Sequence, residues 1–141
     1  HVAITNEMIH ETRIVPLDIR PHVGADIKQW LGDSRGRWEG DALVVETTNL
    51  NDRTNVGFAR HSDALTVTER FTRVDADTLE YRVTIDDPLT WTAPWTMQFP
   101  LQRDEDYGMY EYACHEGNYA MFNILSGHRA DERAAAERAA R

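Results

Sequence analysis

The feature that most constrains the fold of this chain is a repeated alternation of apolar and polar residues between residues 42 and 101. Apolar residues recur at every second position in four runs, at 43–45, 65–71, 79–85 and 95–101, with Glu69 as the one exception. Successive side chains of a β-strand point to opposite faces of a sheet, so this period of two is typical of half-buried strands. The chain is therefore predicted to be mainly β.

Turn residues separate these runs. The segments Glu39-Gly40-Asp41 and Asp75-Ala76-Asp77 each predict a tight hairpin, and Pro88 predicts the end of a strand because it has no N–H for a sheet ladder. Hairpins with one apolar face indicate an antiparallel sheet. With roughly six to eight short strands, the predicted fold is an antiparallel lipocalin-like β-barrel, and a β-sandwich is the alternative.

Other segments complete the predicted organisation. Residues 1–5 and 109–114 are predicted strands, and residues 26–31 and 118–125 are predicted short helices. Residues 129–141 are rich in Ala, Glu and Arg, which favour helix, but lack large apolar residues. The sequence thus predicts one β-barrel domain at 1–128 and a C-terminal helical tail at 129–141.

Charge and hydropathy exclude several classes of partner. The formal net charge of −9 argues against duplex nucleic acid and against an anionic membrane surface, because both attract clustered basic residues. No apolar run approaches the ~18 residues that a membrane helix needs. The single cysteine, Cys114, cannot form an internal disulfide.

Five motifs carry a resemblance: GDSRGRWEGDALVVETT at 32–48, IVPLDIRPH at 14–22, HSDAL at 61–65, DDP at 86–88 with Trp95-Thr96, and YEYACHE at 110–116. Over nearly its whole length the chain resembles a bacterial family of uncharacterised, often exported proteins. The resemblance implies that the chain corresponds to the C-terminal region of such a protein, in the periplasm or secreted. It implies no reaction. Ile19 departs from the pattern, since relatives often have Gly there.

Two polar residues on apolar strand faces are candidates for acid–base chemistry. Glu69 has the parity of the buried side of its strand, and burial shifts the pKa of a carboxyl group toward values that suit proton transfer. An ion pair with an arginine is the structural alternative. His10 shares the parity of Ile4 and is the candidate base, with a core histidine as the alternative. Arg13 and Arg37 are predicted to stabilise a developing negative charge.

A second group of residues is predicted to contact a ligand. Asn6 lies near His10 and would orient it, and the aromatic residues suit stacking on a ring, although packing in a core explains them equally. The predicted ligand-binding residues are Asn6, His22, Trp38, Trp95, Tyr112 and His115.

No metal site is predicted from the histidine spacing. The sequence lacks HxH, HxxxH and HExxH patterns, so a metal site would require the fold to bring His10, His22 and His115 together. No cofactor is expected either, because no cofactor-binding motif is present.

These observations predict a small cofactor-free enzyme that performs general acid–base chemistry of the isomerase, lyase or hydrolase type on a small organic molecule in a barrel pocket. The alternative is a lipocalin-like binding protein for an apolar or aromatic metabolite. The expected partner is a small molecule, with neither nucleic acid nor membrane, and a homodimer is left open.

Overall fold

The computed structural model describes residues 1–140, which form nine strands, one 3₁₀ turn and one helix. The elements are β1 (Val2–Thr5), the 3₁₀ turn (Met8–His10), β2 (Thr12–Val15), β3 (Asp33–Glu39), β4 (Ala42–Thr48), β5 (Asn55–Val56), β6 (Ala59–Arg60), β7 (Thr66–Arg73), β8 (Thr78–Asp86), β9 (Trp95–Gln102) and α1 (Ala120–Ala139). The chain divides into two compact units, His1–Met109 and the part from Tyr110 onward. The prediction of a mainly β chain is confirmed.

The first unit is built on a five-stranded antiparallel sheet with the order β3-β4-β7-β8-β9. Strands β1 and β2 form a separate hairpin, and β5 and β6 form a second one. Strands β3 and β9 are the edges of the large sheet and do not pair with one another, so the sheet is open. The closed lipocalin-like barrel therefore stays a prediction.

The turns of the large sheet are those that the sequence predicts. Glu39 pairs with Ala42 across a two-residue turn, in which Gly40 has a φ of 60° that favours glycine. The turn at residues 74–77 closes with the Val74 N–H donating to the Thr78 carbonyl. Strand β8 ends at Asp86, two residues before Pro88. Turn chemistry thus sets the register of the central strands.

The β1–β2 hairpin covers part of one face of the sheet. Val15, Leu43 and Val45 form a buried cluster, and Val2, Ile4, Leu17 and Phe71 pack against it. Gly36 permits this contact, because a Cβ atom there would lie 2.7 Å from Leu17 Cδ2 and 2.8 Å from Val15 Cγ1. Glycine in β3 therefore lets the chain after β2 approach the sheet closely.

The count of alternate residues that links Ile4 to His10 is interrupted by the 3₁₀ turn. The chain reverses between Asn6 and Glu11, and β1 pairs with β2 so that Ile4 faces Arg13. As a result Arg13 lies on the core side of the hairpin, whereas Ile14 is 58% exposed. The parity that placed His10 on the buried face with Ile4 is therefore wrong, since His10 is exposed.

Three segments outside the sheet differ from the prediction. Residues 26–31 are not helical, because the Asn49 side-chain amide donates to the carbonyls of Gly24 and Ile27 and holds this loop in an irregular path. Residues 109–114 form no strand. In the second unit, α1 runs unbroken from Ala120 to Ala139, so the predicted division at 128/129 falls inside a helix. Within residues 1–140, no helix is both long and apolar enough to cross a membrane.

Candidate functional site

An apolar cleft of about 1010 Å³ opens on the face of the sheet that carries the β1–β2 hairpin. Its apolar wall is formed by residues of four strands of the sheet and the hairpin, namely Ile4, Trp38, Leu43, Phe71 and Leu79. Asp41, Arg73 and Asp75 are charged residues that also line it, and all three are exposed. The cleft is thus apolar in its interior and charged where it meets solvent.

The cleft exists because a two-stranded hairpin is narrower than the five-stranded sheet beneath it. The register places Leu43, Phe71, Tyr81 and Phe99 in one row across β4, β7, β8 and β9. The hairpin packs over Leu43 and Phe71, which lie at one end of the row. Apolar side chains beyond it stay accessible, and Leu79 is 40% exposed.

Aromatic rings continue along this row. The centroids of the Phe71 and Tyr81 rings are 4.9 Å apart, and those of Tyr81 and Phe99 are 5.2 Å apart in an edge-on arrangement. Such contacts fix ring positions beyond what apolar burial alone does. Phe71 is therefore held in place by its neighbours while it lines the cleft.

Glu69 lies on the same face but is enclosed in a polar cluster. Its Oε1 atom accepts hydrogen bonds from Arg13 Nη2 at 2.8 Å and from the Tyr81 hydroxyl at 2.9 Å. Its Oε2 atom lies 2.7 Å from Arg13 Nη1, a charge contact without the alignment of a hydrogen bond. Glu69 is 5% exposed and does not line the cleft. This is the arginine ion pair that the sequence leaves open as the structural alternative.

Burial and the charge of Glu69 both raise the pKa of Tyr81, so its phenol stays protonated and donates to the carboxylate. Arg13 Nη1 also donates to Thr47 Oγ1 at 3.4 Å, and the Thr47 hydroxyl is 2.8 Å from Ser34 Oγ. The cluster is therefore a closed network that joins the hairpin to β3, β4, β7 and β8.

His10 and Asn6 lie in the turn of the β1–β2 hairpin. Both are exposed, and the backbone N–H of Asn6 donates to the Glu11 carbonyl. Neither residue lines the apolar cleft. The structure does not bring His10 and Glu69 together into one cavity.

His22 joins two carboxylates instead of lining the cleft. Its Nδ1 atom is 2.9 Å from Asp33 Oδ2, and its Nε2 atom is 3.2 Å from Glu46 Oε1. Burial acts to raise the pKa of Asp33, but hydrogen bonds from the Val23 N–H, His22 and Arg35 outweigh it and lower that pKa. His22 thereby anchors the loop after residue 16 to β3 and β4.

The remaining predicted residues are distributed over the molecule. Trp38 lines the cleft and is 60% exposed. Trp95 packs edge-on against Trp91, with ring centroids 5.7 Å apart, beside the buried cluster of Leu65, Val83 and Ile85. Arg37 lies on the opposite face of the sheet, where it contacts Glu39. Tyr112 and His115 belong to the second unit and are exposed there.

No group of three or more His, Cys, Asp or Glu side chains placed to hold a metal ion occurs within residues 1–140. His22 is already engaged by Asp33 and Glu46, and His10 lies in the hairpin turn. Among the predicted residues, only Trp38 lies in the apolar cleft.

Sequence reasoning missed a buried anchor at Asp87, which is 1% exposed. Its carboxylate accepts hydrogen bonds from the Ser62 N–H at 2.6 Å, the Ser62 hydroxyl at 2.7 Å and the Thr90 hydroxyl at 2.6 Å. Burial acts to raise the pKa of Asp87, yet these donors lower it to about 2. The sequence offered a signal for this anchor, because Ser62 and Asp87 lie in two of the motifs that carry the resemblance, HSDAL and DDP.

Comparison of the chain with protein-family models, with curated proteins and with solved structures gives no match. The proposed function therefore rests on the geometry and chemistry of the chain's own residues.

Proposed function

We propose that the first unit binds a small apolar molecule with an aromatic group in the cleft beside the β1–β2 hairpin. The observation that carries the proposal is the cleft itself, with about 1010 Å³ of space and an exposed indole, Trp38, in its wall. Small-molecule pockets typically hold about 300–1,000 Å³, so this volume is at the upper end of the range. An exposed Trp beside Leu43 and Phe71 offers a flat apolar surface on which a ring can stack.

The charged residues of the cleft favour a neutral or cationic ligand. The Arg73 guanidinium donates to the carbonyls of Asp75 and Ala76, which uses two of its donors within its own turn but leaves its positive charge. Hydrogen bonds from Asp77 and Thr78 lower the pKa of Asp75, which keeps its carboxylate charged at neutral pH. Asp41 adds a second carboxylate to the lining. The two carboxylates outnumber the one guanidinium, so the net charge of the lining disfavours an anionic ligand.

Acid–base catalysis stays a prediction, and the geometry favours binding over it. A general acid or base must reach the reacting atoms, whereas the carboxylate of Glu69 is enclosed by Arg13 and Tyr81. His10 is accessible but lies in the hairpin turn. A closed barrel would enclose the cleft. We keep barrel closure as a further part of the proposal.

We extend the proposal to an extracytoplasmic location, on the strength of the resemblance to exported bacterial proteins. A binding protein of this kind would meet its ligand in the periplasm or outside the cell. Fractionation of the producing bacterium, with antibody detection of the protein, tests this: recovery in the cytoplasmic fraction alone contradicts it.

A neutral aromatic fluorophore, N-phenyl-1-naphthylamine, tests ligand binding. The wild-type protein is expected to bind it saturably with an increase in emission, because the dye leaves water for an apolar surface. Trp38→Ala is expected to weaken binding by about tenfold, equivalent to ~1.4 kcal/mol, through the loss of ring stacking.

Trp30→Ala is the matched control, because Trp30 is 61% exposed and does not line the cleft. It is expected to leave the affinity unchanged, and circular dichroism confirms that both variants keep their strand content. Absence of saturable binding to the wild-type protein, or equal loss in both variants, would overturn the proposal.

A further inference from the structure

The sheet face opposite the apolar cleft carries a cluster of arginines. Arg37, Arg70 and Arg82 stand in one row, since β3 pairs Arg37 with Val44, β7 pairs Arg70 with Val44, and β8 pairs Arg82 with Arg70. The three side chains line a pocket of about 190 Å³. We call it the arginine pocket, and Val44, Glu39, Thr68 and Thr84 complete its lining.

The pocket has more positive than negative charge. Glu39 is its one carboxylate, and both oxygens are used: Arg37 Nε donates to Oε1 at 2.9 Å and Arg70 Nη1 donates to Oε2 at 2.7 Å. Across residues 1–140, the Arg82 side chain makes no hydrogen bond or ion pair. A site with surplus positive charge is notable in a chain whose formal net charge is −9.

The arrangement carries an energetic cost in the absence of an anion. Arg70 and Arg82 are directly opposite one another on paired strands, and like charges in that position destabilise a sheet. Glu39 offsets the charge of Arg70 but makes no ion pair with Arg82 within residues 1–140. Screening by water reduces the repulsion but does not turn it into an attraction. A bound anion between the two guanidinium groups would replace the repulsion with two favourable contacts.

The floor and one wall of the pocket are suited to such an anion. Val44 is 3% exposed although it lies on the polar face, so the side chains around it cover it. The Thr68 hydroxyl has no hydrogen-bond partner among the residues that the structure describes, and it is free to donate. The Thr84 hydroxyl is already 2.8 Å from that of Thr96.

We propose that the arginine pocket binds a doubly charged tetrahedral oxyanion, that is, a phosphate or sulfate group. Guanidinium groups donate paired N–H bonds that match two oxygens of such an anion, and Thr68 supplies a further donor. Two negative charges balance the surplus of three arginines over one glutamate. Glu46 and Glu80 stand on the same face and disfavour an extended polyanion.

Titration of the full chain with inorganic phosphate and with sodium sulfate tests the proposal, with NaCl holding the ionic strength constant. Nuclear magnetic resonance is expected to show saturable shifts of the Thr68, Arg70 and Arg82 amides and of the arginine Nε–H groups. Arg82→Gln removes the unpaired guanidinium from an exposed position and is expected to weaken binding by at least about tenfold.

Arg53→Gln is the matched control, because it removes the same charge from an exposed loop residue outside the pocket. It is expected to leave the dissociation constant within about twofold of wild type. Shifts that chloride reproduces at equal ionic strength, or equal weakening by both substitutions, would overturn the proposal.

A third titration distinguishes the two sources of the oxyanion. Methyl phosphate presents the same tetrahedral group on a carbon chain. Binding as tight as that of inorganic phosphate supports recognition of a phosphate group on a larger molecule, whereas binding of the inorganic ions alone supports a free-ion site. The fluorophore experiment is independent, because Trp38 and Arg82 lie on opposite faces of the sheet.

Discussion

Glu69 and Arg13 form the ion pair that links the β1–β2 hairpin to the sheet. Removing a carboxylate from water costs several kcal/mol, and a buried site tolerates it only with a well-placed partner. The partner lies 56 residues earlier in the chain, on a different pair of strands. The ion pair therefore favours one docking position of the β1–β2 hairpin on the sheet over others.

Glu69→Gln tests this role, because it keeps the shape of the side chain and removes its charge. Arg13, which is half-buried, is then left without a counter-charge, and the free energy of unfolding is expected to fall by up to roughly 3–5 kcal/mol. Urea unfolding followed by tryptophan fluorescence measures the change. A variant as stable as wild type contradicts the role.

The double substitution Arg13→Met with Glu69→Leu is the informative companion. It removes both charges, so no charge is left unpaired, and a stability much closer to wild type than that of Glu69→Gln is expected. If the double variant is as unstable as Glu69→Gln, loss of shape or of the Tyr81 hydrogen bond causes the effect, and the ion pair does not.

At the scale of elements, the local alternation predicts the central strands well. Strands β4, β7, β8 and β9 all lie where their alternation and turn residues predict them. The prediction fails where a non-local contact decides the structure. The loop at 26–31 has a helical composition, but Asn49 binds two of its carbonyls from a distant position. Counting alternate residues also fails across the 3₁₀ turn, since residues before and after a turn of unknown length need not share a face of the sheet.

The two candidate sites were beyond prediction for a related reason. The cleft forms only when the hairpin places Ile4 beside Phe71. The arginine pocket forms only when three strands pair in the register that aligns their arginines. Trp38 and Arg37 were both singled out from the sequence. As neighbours in β3 these residues face opposite sides of the sheet, and the pairing of β3 with β4 shows which residues lie beside each of them.

Gly36 is the element-scale position where a small change should matter. In Gly36→Ala the new Cβ would meet Leu17 Cδ2 at 2.7 Å and Val15 Cγ1 at 2.8 Å, so the segment after β2 must move away from β3. Overpacking of this kind typically costs about 1–3 kcal/mol. Thermal and urea unfolding measure the loss.

Gly24→Ala is the control, because a Cβ there meets no atom within 4 Å. Little change in stability is expected for it. Equal stability of the Gly36 and Gly24 variants would show that the close contact between β3 and the segment after β2 does not constrain the fold.

At the scale of the whole molecule, the sheet separates two kinds of chemistry. One face carries the apolar cleft, and the other carries charged and hydroxyl side chains around the arginine pocket. The same alternation that makes a strand amphipathic thus gives one layer two different surfaces. The second unit adds a helix in which no residue is buried, and whose Ala-rich sequence favours helix locally.

The location of the buried residues leads to the last prediction. Both hydrophobic clusters, around Val45 and around Ile85, lie within His1–Met109, as do Glu69 and Asp87. A chain that ends at Met109 is therefore expected to unfold cooperatively in urea, with a free energy of unfolding within about 1 kcal/mol of the full chain. It should lose the helical part of its circular dichroism and bind both N-phenyl-1-naphthylamine and phosphate as before.

A chain that begins at Asp33 is the opposite control, because it lacks the hairpin and leaves Leu43 and Val45 without cover. Should the chain ending at Met109 unfold without cooperativity, α1 would be required for the stability of the sheet, and the two units would not be independent.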